Sequence, residues 1–532
     1  MHTSTRRDSQ TNFSSRFGGS ALLPAAVACL LLPTGALAAP PLTVLTVGGG
    51  PTYGMNQVAI ESNVRYVTSL LPGSVGQTLL FTNGDPKDTS VQFADDGPPL
   101  SKEEEAFRLL FRQSPDTTRI RYRAPQIPKI AGPSQHASFN SAMTSLAAPS
   151  AAANPLMLYF TGHGSPDKGN HENNNYDLWN EPGLTVQELS AEVAKLPKER
   201  PVTLIMVQCF SGSFGNLLFQ GGDAAGDLVD RPLCGFFATT KDRVAAGCTP
   251  ELNEKNYRDF TSFFFAALTG RDRLGGKVAP PDYNKDGKVG MDEAFCYSIL
   301  TSPSIDVPVA TSDVFLRRFV SASDEILTKT SFDHVLSVAS PAQRAALDGL
   351  SRSLGDDSPD RLKNALGVVM GEQTRTSSPR PPQPAAPRNE SGTSAAPAAL
   401  PPAQATLARW RKRLEDQFSG LGNGFANPQF SQARDNALEY LKANPAIQQE
   451  ILGARDSMIQ QMRGGRRPRT GTPTSPVAAA ERASRGVLSL RLARLAKSVL
   501  LEEQLRASGD TTRIAQFDRL KKLESGNPFT AL

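Results

Sequence analysis

Apolar residues are scarce in this chain of 532 residues: they make up 39%, set against 41 prolines. That share is below the usual one for a wholly globular protein, so part of the chain is expected to be linker. What remains is long enough for two or three domains and a sizeable core. Beyond the N-terminal leader no segment is apolar enough to span a bilayer, so no helical span is expected in the mature chain. No internal repeat is visible. The turn Gly48-Gly49-Gly50 lacks the G-x-G-x-x-G order and its acidic partner, which argues against a dinucleotide site. Cysteine is sparse, five in all. If Cys29 leaves with the leader, Cys209, Cys234, Cys248 and Cys296 remain. Cys234 and Cys248 could pair in an exported protein, and two buried free thiols are an equal alternative.

The net charge of +5 is unevenly placed. Residues 403–532 hold 21 Lys and Arg against 12 Asp and Glu, a surplus of nine that leaves the rest of the chain at −4. The basic run Arg466-Arg467-Pro468-Arg469 reads as solvated linker, and no specific nucleic-acid partner is expected. At the other end Arg6, Arg7 and Arg16 precede an apolar stretch, Ala21–Leu32, and then the small-x-small triplet Ala36-Leu37-Ala38. That order is a signal peptide over residues 1–38, so the protein is expected to be exported, to a periplasmic or extracellular space.

Along the mature chain, alternating strand and helix signals predict an α/β domain over 39–310. Pro41–Val47 and Gln77–Thr82 are expected strands, with a helix over Gln57–Leu71 between them. Residues 86–135 read as a long polar loop with one short helix near Glu103–Phe111, and Phe139–Leu146 as a helix. Thr185-Val-Gln-Glu188 is a capping box, in which the threonine oxygen takes an orphan N–H and the glutamate reaches back. It opens a crossover helix, and a crossover forces its flanking strands to be parallel. A further strand is expected at Gly235–Thr240 and a helix at Tyr257–Leu268. After residue 310 the texture is helical: an extension over 311–373, a Pro/Ala/Ser-rich linker over 374–405, two amphipathic helices within 406–463, a second linker over 464–480 and an α-hairpin over 481–532.

Two segments concentrate the chemistry. Leu156-Met-Leu-Tyr-Phe-Thr-Gly162 is an apolar run ending on His163-Gly164, and Thr203-Leu-Ile-Met-Val-Gln208 is another ending on Cys209. As parallel neighbours they would present His163 and Cys209 side by side at their C-terminal ends, where open α/β sheets hold their sites. A thiolate attacks carbonyl carbon, and a nearby imidazole can deprotonate the thiol and later protonate a leaving amine. Backbone N–H groups on glycine-flanked turns can hold the developing oxyanion. Singly, a cysteine ending a strand is most often a small buried hydrophobe and a histidine before glycine a turn residue. Both at strand ends, both glycine-flanked and joined by a capped crossover, they favour a nucleophile with its base.

These motifs resemble the caspase-like superfamily of cysteine peptidases, and most closely its legumain (asparaginyl endopeptidase) branch. Legumains read Tyr-Phe-Thr-Asp-His-Gly-Ser where this chain has Tyr159-Phe-Thr-Gly-His163-Gly164-Ser165, and Glu-Ala-Cys-Glu-Ser-Gly-Ser where it has Val207-Gln208-Cys209-Phe-Ser211-Gly212-Ser213. Phe237-Ala-Thr-Thr240 is similar to the legumain strand lining the substrate cleft. The likeness spans roughly residues 42–300. It implies a caspase-like three-layer fold with a mainly parallel sheet, a His163–Cys209 dyad, and an oxyanion hole from the Gly164 and Cys209 amides. It also departs from the family. Gly50-Pro-Thr-Tyr-Gly-Met-Asn56-Gln57 lacks the arginine legumains carry there, and Val207 stands where metacaspases have aspartate, so neither substrate preference carries over. Asp167 is a candidate cleft residue that reads more readily as a solvated turn carboxylate, and His171-Glu172 reads as an Asn-rich loop rather than a zinc site.

Asp282-Tyr-Asn284-Lys-Asp286-Gly287-Lys288-Val-Gly290-Met-Asp-Glu293 has the spacing of an EF-hand calcium loop. Asp282, Asn284 and Asp286 take positions 1, 3 and 5, Gly287 the turn at 6, the Lys288 carbonyl position 7 and Glu293 the bidentate position 12. Gly275-Gly276 and Pro280-Pro281 leave no entering helix, so residues 282–293 look like a half EF-hand holding a structural calcium ion. The expectation is an exported cysteine endopeptidase acting on peptide or protein substrates, its own linkers among the candidates. A non-catalytic caspase-like scaffold, and a transpeptidase or ligase using the same thioester, are the alternatives.

Overall fold

The computed structural model describes residues 42–73, 75–94, 100–111, 120–148, 154–377, 402–422, 429–464 and 476–529. The expected leader 1–38, with Cys29, lies outside them, as do 378–401 and 465–475, the greater part of the two expected linkers. Strand β1 (Thr43–Gly49) leads through α1 (Val58–Ser69) to β2 (Gly76–Phe81). β3 (Val91–Ala94), α2 (Lys102–Leu110) and β4 (Ile120–Arg123) follow, β3 and β4 pairing antiparallel. Helix α3 (His136–Ala147) returns the chain to β5 (Leu156–Gly162). Three two-residue strands, β6 (Gly164–Ser165), β7 (Asn175–Tyr176) and β8 (Leu184–Thr185), form a small antiparallel patch. Helix α4 (Val186–Ala194) then crosses to β9 (Val202–Met206), and β10 (Leu233–Phe237), α5 (Phe260–Thr269), α6 (Met291–Thr301) and β11 (Val309–Ala310) complete the domain.

The main sheet has the order β11-β10-β9-β5-β1-β2, parallel throughout except for β11. The connection from β1 runs outward to β2, whereas those from β2, β5 and β9 run the other way. Right-handed crossovers therefore put α1 on one face and α3 and α4 on the other. α5 packs beside α1 and α3 beside α4, so the fold is a three-layer α/β sandwich. β5 is buried along its whole length, as an apolar run covered on both faces must be. The crossovers diverge between β1 and β5, and there the carboxyl ends of the strands leave a crevice.

Helices α7 (Thr311–Phe319), α8 (Ile326–Lys329), α9 (Phe332–Val338), α10 (Pro341–Leu354) and α11 (Arg361–Ser377) extend the domain. α12 (Pro402–Gln417), α13 (Phe430–Ala443) and α14 (Pro445–Gly464) form a second, smaller core with α2, built on Phe107, Trp410, Leu414, Ala437, Leu441 and Ile451. The terminal hairpin α15 (Pro476–Ala507) and α16 (Thr511–Glu524) instead joins the core that surrounds the main sheet.

Three expectations need correction. The loop expected over 86–135 contains the β3–β4 pair, which four-residue strands with partners 26 to 32 positions apart do not announce. Segment 406–463 holds three helices rather than two, because Pro445, favoured at a first helical position, restarts the helix after Asn444. The linkers are shorter than composition suggests: residues 374–377 continue α11, 402–405 open α12 and 476–480 open α15.

Candidate active site at the ends of two parallel strands

The register fixes the site. Phe160 on β5 pairs with Met206 on β9, and His163 and Cys209 each lie three residues further on, so they leave the sheet at the same height. Gly164 shows how close the two turns come. A Cβ placed on it would sit 2.3 Å from the Cys209 carbonyl oxygen, so only glycine allows that approach. Phe210, directly after the thiol, is held at φ +59°, a left-handed conformation that costs a non-glycine residue of order 1–3 kcal/mol. Its N–H donates to the Arg243 carbonyl (2.8 Å), which helps to pay for the strained turn.

Further bonds stitch the histidine loop to the cysteine turn. The Asn174 side-chain amide donates to the Lys241 carbonyl (2.8 Å) and the Phe210 carbonyl (3.4 Å). Glu172 accepts from Asn216 (3.0 Å) and pairs with Lys241. The capping box of α4 forms as expected, Glu188 N–H donating to the Thr185 hydroxyl (3.1 Å) and Thr185 N–H to the Glu188 carboxylate (2.8 Å). Asp167 accepts from the Gly169 and Asn170 amides, a turn carboxylate as expected.

The His163 ring is oriented by a residue that the sequence did not single out. His163 Nε2 lies 2.9 Å from Gln57 Oε1, and Gln57 Nε2 is 3.4 Å from the Gly54 carbonyl, which fixes which end of the amide faces the ring. An acceptor at Nε2 favours the tautomer protonated there, and the Met55 main chain also accepts from the ring. Gln57 caps the start of α1, beyond the carboxyl end of β1, so it meets His163 across the topological switch point. Neighbouring Asn56 instead organises its own loop, accepting from Gly50 N–H and donating to the Ser90 carbonyl. The only signal for Gln57 in the sequence was an amide side chain soon after the first strand.

Burial lowers the His163 pKa from its ordinary 6.5, although the charge of Asp177 opposes the shift. Burial also pushes the Cys209 thiol up, against a hydrogen bond from the Ala245 main chain. Ala245 N–H donates to Cys209 Sγ at 3.3 Å. Both shifts favour a neutral thiol and a neutral imidazole over a thiolate–imidazolium ion pair. Asp177 N–H donates to the His163 carbonyl (3.0 Å) and its carboxylate accepts from Ser165 (2.6 Å). That carboxylate favours the charged imidazole and disfavours the thiolate. Cys234, Cys248 and Cys296 are free thiols, each raised by burial, and the expected option of a Cys234–Cys248 disulfide is not realised.

In the 282–293 loop the backbone N–H groups turn inward. Asp282 accepts from Asp286 and Gly287, Asn284 from Asp286, and Asp286 from Lys288. Glu293, almost wholly buried, accepts from Tyr283, Asn284 and Gly290 N–H. Gly287 takes φ +84° at the turn. None of these three carboxylates has an ion-pair partner among the described residues, and every side-chain ligand candidate is oxygen, which fits a hard cation. Among the described residues, no group of three or more His, Cys, Asp and Glu side chains is gathered to hold a metal by itself. An EF-hand set depends in addition on the Asn284 amide and the Lys288 carbonyl.

No protein-family model and no curated protein matches the chain. Among solved structures, a protein of Geobacter sulfurreducens is similar at 13% identity with a TM-score of 0.29, over 51% of this chain and 92% of that one. A likeness so slight bears on neither fold nor function. Among the described residues no helix is long and apolar enough to cross a membrane.

Proposed function

We propose that the chain is an exported cysteine endopeptidase whose nucleophile is Cys209 and whose base is His163. The observation that supports this reading is the close approach of Gly164 to the Cys209 carbonyl at the matched ends of β5 and β9, with His163 and Cys209 three residues beyond one paired position. The His163 imidazole takes the thiol proton as sulfur attacks the scissile carbonyl carbon. Asp177 stabilises the imidazolium that results, and Gln57 keeps the ring turned. The Gly164 and Cys209 amides are the oxyanion donors of this reading. The imidazolium then protonates the departing amine, leaving a thioester. Water, deprotonated by the same imidazole, releases the acid and restores the thiol. The composition of residues 1–38 supports export.

The test is cleavage-site profiling of a peptide library by mass spectrometry, with the 39–532 protein in calcium. Cleavage by wild type and none by a folded Cys209→Ala variant is expected; equal cleavage by both would sink the reading.

Calcium, bound by Asp282, Asn284, Asp286, Lys288 and Glu293, is the structural cofactor of this proposal. When bound it supplies charge neutralisation and a cross-link between the two ends of the loop. The loop is well placed for that. Met291 N–H donates to the Gly526 carbonyl (3.0 Å), and Asn527 donates to the Val289 (2.9 Å) and Leu268 (3.1 Å) carbonyls. The loop thus ties α5 and α6 to the chain beyond α16. Chelation is expected to lower the melting temperature of wild type and to leave Asp282→Ala unmoved; a melting temperature indifferent to chelator in both removes calcium from the proposal.

A further inference from the structure

A route of hydrogen bonds runs from the terminal helix to the thiol. Arg491 on α15 is buried, and all five of its guanidinium N–H groups have acceptors on α6 and on the segment between it and β11. They reach the carbonyls of Ile299 (2.9 Å), Ser302 (2.7 Å), Ser304 (3.0 Å) and Asp306 (2.7 Å), and the Ser304 hydroxyl (3.2 Å). The Asp306 side chain, 1% exposed, accepts through Oδ1 from Ala246 N–H at 2.7 Å. The preceding amide, Ala245 N–H, is the one that meets Cys209 Sγ. Asp306 Oδ2 is buried and has no partner among the described residues. A carboxylate so placed would be costly as mere scaffold, because a buried unpaired acceptor is destabilising.

We propose that Asp306, held by Arg491, is a positioning residue for Cys209: it anchors the Ala245–Ala246 segment that aims an N–H at sulfur, and so sets a carboxylate behind the thiol turn. The inference rests on Cys209 being the reactive thiol of the proposed peptidase. The groups facing Asp306 come from four directions: Arg491 on α15, Asp259 at the start of α5, Ser304 on its own segment, and the thiols of Cys209 and Cys248. Arg243, beyond β10, acts on it through Arg491. Burial outweighs the hydrogen bonds and the arginine, and raises the Asp306 carboxyl to about 7. Its charge therefore changes in the neutral range, and the ionised form raises the Cys209 pKa.

The test is the pH dependence of Cys209 alkylation by iodoacetamide, read on the Cys209 peptide by mass spectrometry. Wild type, Asp306→Asn and Asp306→Ala are compared in the full chain. Asparagine keeps an acceptor for Ala246 N–H and loses the charge, so its profile is expected to move to lower pH, with alkylation at pH 8 at least threefold faster than wild type. Alanine loses the anchor as well, and its rate at pH 8 is expected to be at least threefold below that of asparagine. A purely structural carboxylate would leave the asparagine profile on that of wild type, and that superposition overturns the proposal even if the alanine variant does not fold. Alkylation needs no peptide substrate. A thiol that follows Asp306 while cleaving nothing supports this inference and removes the peptidase.

Discussion

The two helical regions that follow the sheet domain look alike in sequence and are used in opposite ways. The 402–464 helices make their own small core with α2, and their charges pair at the surface, as in Lys412–Asp416 and Arg411–Glu415. The 476–529 hairpin enters the main core and buries its charges. Arg494 joins Arg317 and Ser498 around Asp313, whose carboxyl is held well below its ordinary pKa by the two guanidinium groups despite its burial. Glu524 accepts from the Thr311 hydroxyl (2.8 Å) and Ser312 N–H (2.7 Å) at the start of α7. An arginine count, six in 402–464 against seven in 476–529, hardly separates the regions. What separates them is whether an arginine finds main-chain acceptors and buried carboxylates or merely solvent and a neighbour four residues away.

The largest expected effect separates the regions outright. Ending the chain at residue 464 strips the main core of Leu492, Ala496, Val499 and Phe517, and should abolish the cooperative melting transition. Arg491→Ala alone leaves four main-chain carbonyls without their donor. It should cost on the order of 3 kcal/mol or more in a denaturant titration. Leu414→Ala, in the smaller core, should cost about 2–5 kcal/mol for that core and leave the Cys209 alkylation rate unchanged. Lys412→Ala, at an exposed i,i+4 pair, should change stability by less than about 0.5 kcal/mol. Were Leu414→Ala to slow alkylation as much as Arg491→Ala does, the contrast between the regions would be gone.

The sheet half of the molecule was readable because its signals are local. An apolar run such as Leu156–Gly162 has one way to be buried on both faces, and the Thr185–Glu188 cap sits between two such runs. His163, Gly164 and Cys209 follow from where those strands end. Gln57, Asp177 and Asp306 did not, because each acts from another strand end or loop. Asp306 reaches the thiol turn only through residues 60 positions away. The placement of the hairpin was equally hidden. The apolar stripe of α15 says that it packs, and the partner of Arg491 is a set of carbonyls, which leave no mark in a sequence.

The site also has a pH signature. A His163 pKa below 6.5 keeps the imidazole neutral, and so able to accept a proton, to lower pH than an ordinary histidine. The acid limb of kcat/KM should accordingly fall below pH 6.5.

The most direct measurement is the rate at which a peptidyl electrophile forms an adduct with Cys209, followed by intact mass at neutral pH in wild type and His163→Ala. Since burial favours the protonated thiol, the account predicts a single adduct on Cys209 that forms about 100-fold more slowly without the imidazole. Equal rates in the two proteins would mean that His163 and Cys209 share a crevice without sharing a reaction.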